Sequence, residues 1–156
     1  EIPLLEEEYR PLFVRMGRRV ATLLQLGWQP LRRQDKYVTR RPRCWNKQAD
    51  YLCNIAMNEN QKIDCIDSEA IVGGIRSGCN IRTHSDGGLR RGLAAASAWV
   101  IKGCWYDRDL QSWRHGRWGT CACTLPPQVN CFVAEALALE SALEVILGIL
   151  QRLNLN

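Results

Sequence analysis

The chain has 156 residues, of which 46% are hydrophobic and 24% are charged, and its formal net charge is +5. These values are ordinary for one globular domain with a single core and exclude a disordered chain. No apolar run is long enough to span a bilayer, and no basic stretch followed by an apolar one opens the chain, so the sequence predicts neither a membrane partner nor a signal peptide.

Basic residues cluster in three stretches, over 15–19, 32–43 and 76–91. A clustered excess of positive charge favours a polyanionic partner such as nucleic acid. The alternative is that these stretches are solvated basic faces of an ordinary globular domain.

The chain contains eight cysteines, at positions 44, 53, 65, 79, 104, 121, 123 and 131. Most have apolar or helical neighbours, where a free cysteine behaves as a small buried hydrophobe. No Cys-x-x-Cys pair occurs, and Cys121 and Cys123 are predicted to share one face of a strand. Free thiols in a reducing, intracellular compartment are therefore expected, with structural disulfides or a zinc site as alternatives. Nucleus, cytoplasm and organelle are not distinguished.

The first part of the chain is predicted to form two helices separated by a short strand and a basic loop. In order, these are a helix over 4–26, a strand over 35–39, a loop over 40–43 and a helix over 45–57. Both helices have apolar residues recurring about every 3.6 positions. Asn46 is a suitable N-cap for the second helix, and Asp50 follows one turn later.

The second part is predicted to be richer in strands and to end in a long helix. In order, it contains a strand or extended connection over 62–66, a helix over 69–76, strands over 80–86 and 94–104, a turn over 106–109, one or two strands over 113–125 and a helix over 132–153. The apolar run over 94–104 is typical of a strand buried on both faces. Asp67 and Ser68 are suitable residues to start the short helix.

The stretch from Asn80 to Gly88 brings one carboxylate, that of Asp86, to the end of a strand. Gly87 and Gly88 would let the backbone turn immediately after it. A carboxylate beside glycines is a good oxygen ligand for a hard divalent cation. The alternative is an ordinary Asp-Gly-Gly turn.

The long C-terminal helix contributes three further acids. Glu135 is predicted in its first turn, where the helix dipole favours an anion. An ordinary N-terminal acid is the alternative. Glu140 and Glu144 are one turn apart and are expected at the surface.

Two motifs resemble the type 1 ribonuclease H family. Ser-Asp-Gly-Gly at a strand end, a three-strand meander and a helix opening Phe-Val-Ala-Glu-Ala-Leu-Ala-Leu-Glu are similar to the first half of that domain. Residues 40–54 are similar to its closing motif, in which a Pro-Arg loop leads to Asn-Lys-x-Ala-Asp-x-Leu-Ala-Asn on the last helix. The closing motif comes first here, which indicates a circular permutation or a segment cut across the junction of two tandem copies.

The resemblance implies an α/β fold, a ribonuclease H-like mixed sheet with helices on both faces. Residues 1–57 would supply the family's C-terminal half, 58–79 a joining segment and 80–156 the N-terminal half, in one compact domain. The family also has a central strand ending in Asp-Ser. Asp67 is the candidate for that acid, with an N-cap of a linker helix as the alternative.

The resemblance also implies a metal-dependent endonuclease that hydrolyses the RNA strand of RNA/DNA hybrids. Its catalytic acids would be Asp86, Glu135, Asp50 and Asp67, of which the first three are the predicted metal ligands. They would hold two Mg²⁺ or Mn²⁺ ions about 4 Å apart. The residues expected to contact nucleic acid are Arg40, Arg43, Asn46, Arg90 and Arg91. Arg40 stands where the family usually has a histidine.

The competing prediction is a catalytically impaired domain of this fold that binds nucleic acid or serves as a scaffold in a larger assembly. A basic adaptor in which every named acid is structural is a third alternative. For the ribonuclease H-like domain, a second copy of the chain or a larger polyprotein is a further expected partner, which would complete the sheet.

Overall fold

The structure is a computed structural model that describes residues 2–25 and 47–155. Within these ranges the elements are α1 (Ile2–Gln25), α2 (Lys47–Glu59), β1 (Ile63–Ile66), α3 (Ser68–Arg76), β2 (Asn80–Arg90), β3 (Ala94–Asp107), β4 (Ser112–Leu125) and α4 (Cys131–Leu155). The predicted strand over 35–39 and basic loop over 40–43 lie outside the described residues. Among the described helices, none has the length and apolar character needed to cross a bilayer.

The four strands form one sheet in the order β1-β4-β3-β2. The α/β class is confirmed, but the predicted mixed sheet is not what these strands form, because all three pairings are antiparallel. Strands β2, β3 and β4 follow one another through short connections, which impose antiparallel pairing. The last of the predicted turns is also shifted, since β3 continues to Asp107 before the chain reverses.

Strand β3 is buried on both faces, as its apolar run predicts. Ala96, Ala98 and Val100 pack against α2 on one face of the sheet. Trp99 and Ile101 pack on the opposite face, where the core is completed by residues of α3 and α4. The alanines on the α2 face leave little side-chain bulk between strand and helix, so α2 packs close to this face of β3.

Helix α1 is attached to α4 by ion pairs that the sequence did not predict. Glu140, expected at the surface, has a side chain only 12% exposed and pairs with Arg19 and with Arg15. Arg19 also lies 3.9 Å from the exposed carboxylate of Glu144. Two arginines of the 15–19 cluster therefore have an internal partner about 120 residues away in the chain.

We expect Glu140→Gln to lower the free energy of unfolding by about 2 kcal/mol, because it leaves two arginines without their shared anion. Glu144→Gln is the matched control. Its carboxylate is 65% exposed, and an exposed pair of this kind contributes about 0–1 kcal/mol. Urea denaturation of both variants measures the difference, and equal losses would contradict the anchoring role of Glu140.

Candidate metal centre

Asp86 lies within β2, not at its end. The strand continues through Gly87 and Gly88 to Arg90, and these glycines pair with Ser97 and Ala96 of β3. The predicted Asp-Gly-Gly turn is therefore wrong. Gly87 and Gly88 do not reverse the chain; they allow neighbouring elements to pack closely against β2.

The two glycines face opposite sides of the sheet, and each allows one helix to pack closely against β2. A Cβ at Gly87 would overlap the backbone of Ala134 and Glu135 at the start of α4. A Cβ at Gly88 would lie 2.9 Å from Cε of Met57 and 3.1 Å from Cβ of Cys53, both in α2. The absence of two side chains thus brings α4 and α2 against β2 directly beside Asp86.

Each helix contributes one acid at this point. Asp50 lies in the first turn of α2. Glu135 is the fifth residue of α4, one residue further into the helix than predicted and just past its first turn, because the helix already starts at Cys131. Asn130 caps that helix by accepting a hydrogen bond of 2.9 Å from the backbone N–H of Val133.

Electrostatics show that the three carboxylates share one environment. The pKa of Asp86 is raised from 3.8 to about 6, first by burial and then by the negative charges of Asp50 and Glu135. The carboxyl group of Asp50 is close enough to share a hydrogen bond with that of Asp86, which favours the protonated form. Only the backbone N–H of Gly87, which donates to Oδ1 of Asp86 at 3.0 Å, opposes the shift.

Cys53 lies beneath this cluster, a role that sequence reasoning did not assign. Its Sγ donates to the backbone carbonyl of Asp86 at 3.4 Å. Burial, followed by the charges of Asp86 and Asp50, raises the pKa of the Cys53 thiol to about 12. The group is therefore a neutral thiol at physiological pH. The sequence feature that could have identified Cys53 is its position three residues after Asp50, which places both residues on the same side of α2.

Asp67 does not join the cluster. It is the N-cap of α3, where its carboxylate accepts a hydrogen bond of 3.0 Å from the backbone N–H of Ala70. One row of paired residues crosses the sheet from Asp86 through Ala98 and Ala122 to Ile63. Three strand spacings, about 14 Å, separate the two ends of that row. Asp67 follows β1, at the edge of the sheet opposite to Asp86. Its role in the structure is therefore that of an N-cap, which was the alternative prediction.

Two of the predicted nucleic-acid contacts fall in the described part of the chain. Arg90 projects on the same face of β2 as Asp86, and its Nη2 lies 3.4 Å from Oδ1 of Asn54 in α2. Arg91 is exposed in the connection to β3. Arg40, Arg43 and Asn46 lie outside the described residues.

The donors suit a hard divalent cation, although their arrangement is incomplete. Among the described residues, no three His, Cys, Asp or Glu side chains are spaced to hold a metal ion together. The negative charge of Asp50 nevertheless raises the pKa of Asp86, as does that of Glu135 to a smaller extent. A cation would cancel this repulsion, and oxygen ligands are those that Mg²⁺ and Mn²⁺ prefer. Asp50 and Asp86 are the donors that one such ion would use.

The cysteines supply no alternative metal site in the described ranges. The seven cysteines there are free, and Cys121 and Cys123 project on one face of β4 as predicted. Burial, and then the neighbouring Cys123, raises the pKa of Cys121 to about 11. A neutral thiol is a poor metal ligand.

The raised pKa of Asp86 predicts a pH-dependent stability. The folded protein holds this proton up to about pH 6, whereas the unfolded chain releases it near 3.8, so the free energy of unfolding falls as the pH rises through this window. The loss is about 1 kcal/mol once screening of a half-exposed group is allowed for. NMR titration of the Asp86 carboxyl carbon measures the pKa. Asp50→Asn should lower it, and an unchanged value would contradict the proximity of the two acids.

Comparison with protein-family models, curated proteins and solved structures found no match to this chain. The functional assignment therefore depends on the geometry and charge of the cluster formed by Asp50, Asp86 and Glu135.

Proposed function

We propose that this protein is a metal-dependent endonuclease that hydrolyses the RNA strand of RNA/DNA hybrids. The observation that carries the proposal is that the charges of Asp50 on α2 and Glu135 on α4, helices on opposite faces of the sheet, both raise the pKa of Asp86 on β2. Such clustering raises the electrostatic energy of the apo site and suits a site whose charge is balanced by a cation.

Asp86 and Asp50 would hold the Mg²⁺ or Mn²⁺ ion, with Glu135 next to them. A bound ion of this kind polarises a phosphoryl oxygen and lowers the pKa of a bound water. The chain's own residues fix the ligands. The Gly87 N–H orients one oxygen of Asp86, and the Cys53 thiol holds the backbone of Asp86 without adding charge. Because the pKa of Asp86 is about 6, its carboxylate is ionised above that pH and would then bind a cation.

The proposal includes a ribonuclease H-like fold with its motifs in circularly permuted or tandem-junction order. The antiparallel meander β2-β3-β4 followed by α4, and the approach of α2 from the opposite face, support it. In the described part of the sheet β2 is an edge strand. Its outer backbone groups would pair with a strand from a second copy or from a larger polyprotein.

Phosphate contacts of the hybrid would come from basic residues near the cluster. Arg90 is held beside α2 by Asn54, and Arg91 is exposed next to it. Arg40 and Arg43, which precede α2 in the chain, would extend this contact. Arginines bind phosphate oxygens in a sequence-independent way, with an affinity that decreases steeply with salt.

A second candidate function is a nucleic-acid-binding or scaffold domain without catalysis. The position of Asp67 at the far edge of the sheet favours it, because three carboxylates hold a second ion less well than four. In this alternative the acidic cluster would bind one structural cation or none.

Cleavage of a labelled RNA/DNA hybrid by the wild type and by Asp86→Asn, in Mg²⁺, Mn²⁺ or EDTA, tests the proposal. We expect cleavage that requires the metal and is lost in the variant. Equal rates for the two proteins would overturn it. Hybrid binding without cleavage in any metal would establish the second candidate.

A further inference from the structure

We propose that the solvent-exposed face of the distal β2-β3-β4 ribbon binds a single-stranded polynucleotide. This surface, here called the ribbon face, consists of Arg82, Lys102, Tyr106, Trp113 and Arg117. It lies on the same face of the sheet as α2, at the ends of the strands away from Arg90. It uses none of the acids of the proposed nuclease site, so each proposal can be tested without the other.

Three cations form one row across the ribbon face. Arg82 pairs with Lys102 on the neighbouring strand, and Lys102 pairs with Arg117 on the next one. Directly paired residues on antiparallel strands point to the same face, with Cβ atoms about 5 Å apart. Like charges at this spacing destabilise a sheet, and an anion bound across them would remove that cost.

A β-bulge creates this row. The pairing of β3 with β4 shifts between Ile101 and Lys102, so that Ile101 faces Gly119 and Lys102 faces Arg117. Trp118 is skipped and turns to the other face, where it stacks on Trp105 with ring centroids 6.1 Å apart. Bulges commonly redirect a side chain in this way, and here the bulge places a third cation opposite Lys102.

No carboxylate lies among the described paired residues that surround the cationic row on this face; the nearest one of β2 on the same face is that of Asp86, four residues from Arg82. The other paired side chains that share it are Asn80, His84, Cys104 and His115. The ion pair between Arg114 and Asp107 lies on the opposite face, because these residues alternate with His115 and Tyr106 along their strands. The face therefore complements a polyanion.

Two exposed aromatic rings complete the ribbon face. Tyr106 and Trp113 pair across the strands in an edge-to-face contact of 5.7 Å, and are 48% and 65% exposed. They lie four residues from the cationic row, about 13 Å along the ribbon. Aromatic rings next to a cationic track are the arrangement on which unpaired bases stack. A duplex keeps its bases stacked inside, which is why these rings favour a single strand.

Fluorescence anisotropy with a labelled oligo-U or oligo-dT tests the proposal, in the Asp86→Asn background so that no cleavage interferes. The triple variant Arg82→Gln, Lys102→Gln, Arg117→Gln should weaken binding at least about tenfold and reduce the salt slope by about 2. Trp113→Ala should weaken binding about five- to a hundredfold with the salt slope unchanged. The triple variant is expected to keep its fold, because the substitutions remove like-charge repulsion.

Arg114→Gln is the matched control for charge. It removes one cation from the same strand on the opposite face and should leave binding within about twofold. The single variant Arg117→Gln, measured beside it, should weaken binding by more than this. Three results would overturn the proposal: equal effects of Arg114→Gln and Arg117→Gln, tighter binding of a duplex of the same length, or displacement of the oligonucleotide by an acidic peptide at equal charge concentration.

Discussion

Gly87→Ala is expected to lower the free energy of unfolding by about 3 kcal/mol or more and to abolish metal-dependent cleavage. The new methyl group would overlap backbone atoms of Ala134 and Glu135. Backbone at the start of a capped helix has no alternative rotamer, so either α4 moves away from β2 or the strand bends. Both responses separate Glu135 from Asp86 and disperse the acidic cluster.

Gly88→Ala is the matched control on the opposite face. Its nearest contacts are the mobile methyl group of Met57 at 2.9 Å and Cβ of Cys53 at 3.1 Å, so we expect a loss of about 1 kcal/mol. Gly73→Ala in α3 meets nothing within 4 Å and should stabilise by about 0.5–1 kcal/mol. Urea denaturation ranks the three variants. Equal losses of unfolding free energy in Gly87→Ala and Gly88→Ala would show that the backbone of α4 does not contact β2 closely at Gly87.

Helices and strands with strong periodicity could be predicted closely from the sequence. The final helix was predicted over 132–153 and spans Cys131–Leu155, and the buried strand predicted from residue 94 starts at Ala94. A long apolar pattern predicts the same buried residues whatever the element packs against, so the local sequence is enough to predict the element. The outer ends of β2 and β3 were missed, because Gly87-Gly88 in β2 and the Asp-Arg-Asp run over 107–109 at the end of β3 are also typical of turns.

The glycine pair shows where local information fails. Gly87-Gly88 after Asp86 is compatible with a turn and with close approach of a neighbouring element. The choice depends on where α4 and α2 pack, more than 30 residues away in each direction along the chain. The same reason explains Glu140, whose partners Arg15 and Arg19 lie on a distant helix.

The acidic cluster itself could not be found from periodicity. Asp50, Asp86 and Glu135 belong to three different elements, and only the resemblance of two motifs to one family predicted that they meet. The charges of Asp50 and Glu135 raise the pKa of Asp86, but among the described residues no three such side chains are spaced to hold a metal ion together. Asp67 shows the limit, since Asp-Ser before a helix is also an ordinary N-cap, and hydrogen bonding to Ala70 is how the structure uses it.

Asp86→Asn is expected to change stability and activity in opposite directions. At pH 7 the variant should be more stable by about 1 kcal/mol, because it removes a half-buried carboxylate that is repelled by Asp50 and Glu135. The gain should shrink towards pH 4, where the wild type already holds its proton. Cleavage of an RNA/DNA hybrid should fall at least about a hundredfold, since a neutral amide cannot balance a divalent cation.

Asp64→Asn is the control for charge, because Asp64 is an exposed acid of β1 at the opposite edge of the sheet. It should change neither quantity appreciably. Stability is followed by urea denaturation at pH 4 and pH 7, with and without Mg²⁺. Added Mg²⁺ should stabilise the wild type and leave Asp86→Asn unchanged, because a ligand that binds only the folded state stabilises it by mass action. A variant that loses stability at pH 7, or that still gains stability from Mg²⁺ to the same extent as the wild type, would show that Asp86 is a structural acid and that the cluster is not a cation site.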